Sequence, residues 1–205
     1  MPTTTVKAYD LYTLAANLEK TEGETEEVMV RRREMLEEAV ELDPDFVEAW
    51  AVLKLTYDLM LSRLGQRGWY LTEGDDIEKV VEDFRDRSRR ALEKAIALDQ
   101  DNVETLLASA VDHIWPQSDE VNQERKAIFD RILATDPDHA MAWYHLGWLY
   151  WNGQDQQAEA LAAYQLYHRP FLVHPKVQEY YVNQGKWIDY LSTRVPEYAE
   201  LRKSE

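Results

Sequence analysis

Apolar residues recur along most of this 205-residue chain at the three- and four-residue spacing of α-helices, and short polar or glycine-containing segments separate these stretches. The division leaves no strand. The predicted helices span 6–20, 25–42, 45–64, 76–98, 101–114, 118–135, 138–152, 154–168 and 175–192, with a short one near 196–203. We therefore expect an all-α protein with about nine to ten helices.

Two of the predicted helices carry the same sequence pattern. An Asp-Pro pair is followed at a fixed distance by Trp, Leu and Tyr at helical spacing. The pattern stands at Asp43-Pro44, Trp50, Leu53 and Tyr57, and again at Asp136-Pro137, Trp143, Leu146, Gly147 and Tyr150. A weaker copy begins at Asp99, with Leu106 in the Trp position and Ala110 in the Gly position. Within each helix the shared residues form one stripe, which predicts packing against a partner helix.

The junctions before these helices predict helix starts. Asp is a frequent N-cap and Pro fits the first helical turn, where its missing N–H would have no partner in any case. Asp43 and Asp136 are therefore expected to be N-caps, and Pro44 and Pro137 to lie in the first turn. The recurring Asp-x-Asp pairs are explained by this junction role and not by calcium binding.

The repeated pattern resembles the tetratricopeptide repeat (TPR) family, in bacterial-type degenerate copies. The resemblance implies a right-handed superhelical array of antiparallel helix hairpins that forms a single domain over 1–205. The first interval between junctions is longer than the roughly 34 residues of this family. We therefore expect an inserted loop near 62–76, where glycines cluster, and a less regular C-terminal unit at 170–205.

The resemblance also implies a concave groove lined by positions 2, 5, 9 and 12 of each first helix. In the third matched unit these are Met141, Tyr144, Trp148 and Trp151, which form an unusually aromatic wall. The earlier units contribute Glu48, Ala51, Leu55 and Asp58, then Glu104, Leu107, Val111 and Ile114. One interpretation is a groove that receives an apolar peptide anchor. In the other, a terminal helix or the inserted loop, with Trp69 and Tyr70 as its candidate contacts, fills the groove.

Charge narrows the class of partner. The net charge of −16 disfavours nucleic acid and anionic membranes. We expect a protein or peptide partner that is neutral or basic and carries an apolar anchor. No apolar run is long enough to cross a bilayer, and the N-terminus lacks the apolar core of a signal peptide, so a cytoplasmic location is expected.

Catalytic and metal-binding patterns are weak. The five histidines form no His-Glu-x-x-His motif, and the glycine pair at Gly65 and Gly68 is not followed by the Lys-Ser/Thr of a phosphate loop. His139 is interpreted as a helix-start residue and His145 as a partly buried packing residue. We therefore expect no catalysis, no metal and no cofactor.

Three function hypotheses follow from these patterns. The leading one is a non-catalytic protein- or peptide-binding scaffold. The second is a structural or homo-oligomerisation module, compatible with a homodimer or with a place in a larger signalling or regulatory protein. The third, an enzyme with a dispersed acidic site, has no motif in its favour.

Overall fold

The computed structural model describes residues 5–111, 118–137 and 139–152, and this part of the chain is all-helical. Its helices are α1 (Val6–Glu22), α2 (Glu26–Leu42), α3 (Val47–Arg67), α4 (Ile77–Asp99), α5 (Val103–Ala110), α6 (Asp119–Thr135) and α7 (Ala140–Asn152). No strand occurs within these three stretches, which confirms the all-α prediction there. The helices predicted at 154–168, 175–192 and near 196–203, and the C-terminal unit 170–205, lie outside the described residues.

The chain divides into two compact units, 1–117 and 118–205. The first unit contains α1 to α5, of which α1 to α4 pack mainly on their neighbours along the chain, whereas α5 packs more on α3 than on α4. In the second unit α6 packs on α7. The prediction of one domain over 1–205 stays a prediction.

In the first unit the repeated stripe lies in the interior, as the sequence predicted. Leu53 and Tyr57 are buried in the main core of the first unit, and the ring of Trp50 packs against that core. In the second unit Leu146 is buried as well. Because these residues are used for helix packing, they are structural and not candidates for binding a partner.

The prediction that Asp43 and Asp136 are N-caps is wrong. Asp43 ends α2 as its C-cap, and its N–H donates to the carbonyl of Ala39. Asp136 ends α6 in the same way on Ile132. The carbonyl of each aspartate then accepts the N–H three residues later, at 3.1 Å in both cases, so a turn separates the two helices. The prolines lie in this turn and not in the first helical turn, as had been expected.

An indole hydrogen bond closes each of these turns. Nε1 of Trp50 donates to the carbonyl of Pro44 at 2.9 Å, and Nε1 of Trp143 donates to the carbonyl of Pro137 at 2.8 Å. The two junctions therefore have the same local hydrogen bonding although they belong to different units. The pairing of Asp-Pro with a Trp six residues after the proline thus has a direct physical cause.

We expect Trp50→Phe and Trp143→Phe each to lower the free energy of unfolding by about 1 kcal/mol, because each removes one indole hydrogen bond. Urea denaturation followed by circular dichroism measures the effect. Trp69→Phe is the control, because the Trp69 ring packs on the core and beneath Arg67 without such a bond. Equal losses in all three variants would show that the turn bonds contribute nothing beyond ring size.

The predicted inserted loop is shorter than 62–76. Helix α3 continues through Gly65 to Arg67, and Leu64 in its last turn is buried. The helix ends at Gly68, whose φ of 67° is in the left-handed region and whose N–H donates to the carbonyl of Leu64. The loop therefore covers 68–76.

Helix α5 is also shorter than the predicted 101–114. The side chain of Asn102 accepts the N–H groups of Glu104 and Thr105 and so places the start of the helix at Val103. At the other end the backbone becomes extended at Val111. This early end exposes the Val111 carbonyl to a side chain of α3, as described below.

Candidate functional site

The first unit contains a cavity of about 840 Å³ between α3, α4 and the end of α5. We call it the α3–α4 cavity. Its apolar wall consists of Leu61, Leu64, Ile77, Val81, Leu92 and Val111. A volume of this size is within the range of small-molecule and cofactor sites, which are mostly apolar with a few well-placed polar groups.

A buried ion pair lies in the lining of this cavity. Lys54, 6% exposed, contacts Asp58 one helical turn later, with Nζ 2.5 Å from Oδ2. The same ammonium donates to the carbonyl of Val111 at 2.5 Å, just past the end of α5. Ser88 of α4 donates its hydroxyl to the other oxygen of Asp58, also at 2.5 Å. These contacts therefore link α3 to α4 and to the end of α5. Each oxygen of Asp58 has one protein donor.

The remaining charges of the lining are positive. Arg89 makes ion pairs with Asp86 and Glu93 on its own helix. Arg85 is exposed and makes no ion pair or hydrogen bond with any described residue. The described lining thus holds the cations Lys54, Arg85 and Arg89 against the single carboxylate of Asp58, in a chain whose net charge is −16. The lining is suited to an anion more than to a cation.

A second charged feature of the first unit is a pair of carboxylates. Glu48 of α3 and Glu104 of α5 lie close enough to interact, and Asn102 donates to Oε1 of Glu48 at 3.1 Å. The other oxygen of Glu48 is buried and has no hydrogen-bond partner among the described residues. Burial, and then the neighbouring Glu48, raise the pKa of Glu104. Burial, and then the carboxylates of Glu104 and Glu48, also raise the pKa of the Tyr12 hydroxyl.

We expect Glu104→Gln to stabilise the protein at pH 7, because it removes a buried carboxylate that lies beside Glu48. A carboxyl whose folded-state pKa is raised weakens the fold once it ionises, so the parent loses stability as the pH rises from about 4.5 through the raised pKa. Thermal unfolding at pH 7 and pH 4 tests this, with the exposed Glu41→Gln as control. A gain that is equally large at pH 4 would contradict the explanation.

The groove positions predicted in the first unit are mostly interior. Leu107 is 3% exposed and Val111 is 5% exposed. Leu55 is half-buried against a small cluster of buried alanines that includes Ala51. Glu48 and Glu104 are brought together, as expected for one acidic edge. In this unit the predicted apolar positions therefore serve mainly to pack helices.

In the second unit the predicted aromatic wall belongs to α7. Met141 is 40% exposed, and Tyr144 is half-buried with its ring 5.1 Å from that of His145. The ring of His145 stacks on Phe129 at 5.8 Å, which confirms its interpretation as a packing residue. Trp148 and Trp151 lie on the helical backbone of α7, and their side chains are outside the described part.

Trp69 and Tyr70 of the loop pack on the core of the first unit. The Tyr70 ring lies 5.8 Å from the ring of Phe84 of α4, and the backbone N–H of Tyr70 donates to Glu26 of α2 at 2.7 Å. The guanidinium of Arg67 lies 4.8 Å above the Trp69 ring. Both rings are half-buried, so the loop is held against α2 and α4.

Sequence reasoning missed Lys54, Ser88 and Arg85. Of these, Lys54 carried a signal, because a lysine in the apolar run of α3 followed four residues later by Asp58 predicts an ion pair on a packed face. Nothing in the sequence distinguished Arg85 from its neighbours Arg87, Arg89 and Arg90. Only the positions of the helices show that Arg85 has no ion-pair or hydrogen-bond partner among the described residues.

The described residues show no obvious reactive centre. Among them no group of three or more His, Asp or Glu side chains is placed to hold a metal ion. His139 accepts the N–H of Ala142 on Nδ1 at 3.2 Å, which confirms its role at a helix start. His113, His168 and His174 lie outside the described residues. Over the helices that are described, none is long and apolar enough to span a membrane.

The chain matches no known protein-family model and no curated protein.

Proposed function

We propose that this chain is a non-catalytic cytoplasmic scaffold that binds a protein or peptide through the concave face of a right-handed superhelical array of TPR-like hairpins. The array comprises about nine to ten helices. The observation that supports it most is the identical closure of the two Asp-Pro turns by an indole of the following helix. The same local device at two places along a helical chain is typical of a repeat scaffold, and such scaffolds bind partners along a concave surface.

The partner we propose is a neutral or basic segment with an apolar or aromatic anchor. The anchor meets the wall of Met141, Tyr144, Trp148 and Trp151, because aromatic side chains dominate binding energy at interfaces. The exposed Met141 supports this assignment. The net charge of −16 favours basic residues next to the anchor.

Selection from a random displayed-peptide library on the intact chain tests this function. We expect enriched peptides to carry an aromatic or large apolar residue with Lys or Arg nearby. Trp148→Ala with Trp151→Ala is expected to weaken their binding at least tenfold with helicity unchanged. The matched control, Tyr9→Ala with Leu14→Ala, removes two exposed apolar side chains of α1 and is expected to leave binding intact.

Three outcomes would contradict the proposal. If the selection enriches no peptide, the chain is not a peptide-binding scaffold. If the tryptophan double variant binds the selected peptides as tightly as the parent does, the aromatic wall is not the binding surface. If that variant loses helicity, the exposed Met141→Glu replaces it, and unchanged binding by this variant has the same meaning. Sedimentation at two concentrations distinguishes the peptide-binding scaffold from a homo-oligomerisation module, which self-associates instead of binding peptides.

A further inference from the structure

The α3–α4 cavity has the properties of a ligand site distinct from the predicted aromatic wall. Its described lining comes from the first unit alone, and its volume of about 840 Å³ is within the range of small-molecule sites. The Lys54–Asp58 pair and Ser88 fix the helices around it, so the cavity is held open by hydrogen bonds and an ion pair.

The lining selects the chemistry of the ligand. The apolar part of the lining is aliphatic, and no aromatic ring is found among the described side chains that line the cavity. Aliphatic walls suit an alkyl chain, which gains roughly 0.8 kcal/mol for each buried methylene. Planar nucleobase or aromatic ligands, which favour stacking partners, are a poorer match.

The charged side chains of the lining favour a ligand with one anionic group. Asp58 is paired with Lys54 and accepts a hydrogen bond from the Ser88 hydroxyl, so its charge is already balanced by a protein cation. Arg89 is paired with acids of its own helix. This leaves Arg85 as the cation of the lining that has no partner among the described residues. A guanidinium in this situation matches a carboxylate in a bidentate arrangement.

We propose that the α3–α4 cavity binds an aliphatic monocarboxylate of the fatty-acid class. The alkyl chain packs between Leu61 and Leu64 of α3 and Val81 and Leu92 of α4. The carboxylate is held by Arg85 at the mouth. This site extends the function beyond the binding of a protein partner and does not depend on the aromatic wall.

Calorimetric titration of the intact chain with decanoate, below the concentration at which it forms micelles, tests the proposal. We expect saturable one-to-one binding with a dissociation constant below about 1 mM, which is modest for a buried alkyl chain with one charged anchor. Arg85→Gln is expected to weaken decanoate binding at least tenfold. The matched control is Arg90→Gln, because Arg90 is a nearby exposed arginine that does not line the cavity.

A neutral analogue separates the roles of the chain and the charge. Decanol is expected to bind the parent about tenfold more weakly than decanoate, and Arg85→Gln is expected to leave decanol binding unchanged. Val81→Trp fills the cavity and is expected to abolish the binding of both compounds. Circular dichroism verifies that each variant keeps its helicity, and because Arg85 is exposed, its variant remains decisive if Val81→Trp does not fold.

The proposal is overturned by absence of saturable decanoate binding, or by equal affinities of the Arg85 and Arg90 variants. It is also overturned if a peptide ending in leucine with a free carboxylate binds at Arg85 while decanoate does not, since the cavity then serves a protein terminus. Its failure leaves the peptide-selection experiment unaffected, because that experiment tests residues of α7.

Discussion

Replacing Lys54 with methionine is expected to lower the free energy of unfolding by about 3–5 kcal/mol. The ammonium of Lys54 is the ion-pair partner of Asp58 and the donor to the Val111 carbonyl, and both groups lie in the interior of the first unit. Methionine has a similar length but supplies no charge and no donor. The variant therefore leaves a buried carboxylate with only the Ser88 hydroxyl as its partner.

Chemical denaturation of the parent and of three variants measures this effect. The double variant Lys54→Met with Asp58→Leu is expected to be more stable than Lys54→Met alone, because it also removes the uncompensated charge. Lys7→Met is the control, since its ion pair with Glu38 is solvent-exposed and is expected to contribute less than about 1 kcal/mol. A Lys54 variant no less stable than the Lys7 variant would show that water, and not Lys54, solvates Asp58.

The helix bounds were largely predictable because local periodicity determines them. The predicted spans 25–42, 76–98 and 118–135 differ by one residue or less at each end from the observed α2, α4 and α6. Some errors occurred where a side-chain hydrogen bond outside the capping rules contributes to the geometry. Pro44, for example, lies in a turn in which its carbonyl accepts the indole N–H of Trp50, a bond that a capping rule does not contain.

The candidate site was less predictable than the helices. The repeat pattern placed Glu48 and Glu104 at one predicted acidic edge, and these two side chains lie close enough to interact. It gave no indication of the α3–α4 cavity, since that cavity depends on the early end of α5 and on Ser88 of α4 meeting Asp58 of α3. Such contacts involve residues far apart in sequence, and a single sequence does not reveal them.

Phe46→Ala is expected to lower the free energy of unfolding by about 3–5 kcal/mol, because it empties a fully buried site. The Phe46 ring lies just before α3, 5.0 Å from the ring of Tyr12 of α1, so its removal weakens the contact between these segments. Phe129 is the equivalent choice in the second unit, being 1% exposed and stacked on His145. Phe129→Ala is expected to lower the free energy of unfolding by a similar amount.

These two variants also test whether the chain is one cooperative domain. In a short repeat array each unit is stabilised by its neighbours, so a defect in one unit is expected to destabilise the other. We therefore expect hydrogen exchange to show reduced protection of both α3 and α6 in either variant, with one denaturation transition. Leu14→Ala, an exposed side chain of α1, is the control and is expected to change stability by less than about 0.5 kcal/mol. If Phe129→Ala lowers protection of α6 while α2, α3 and α4 keep theirs, the two units fold independently and the single-domain prediction is wrong.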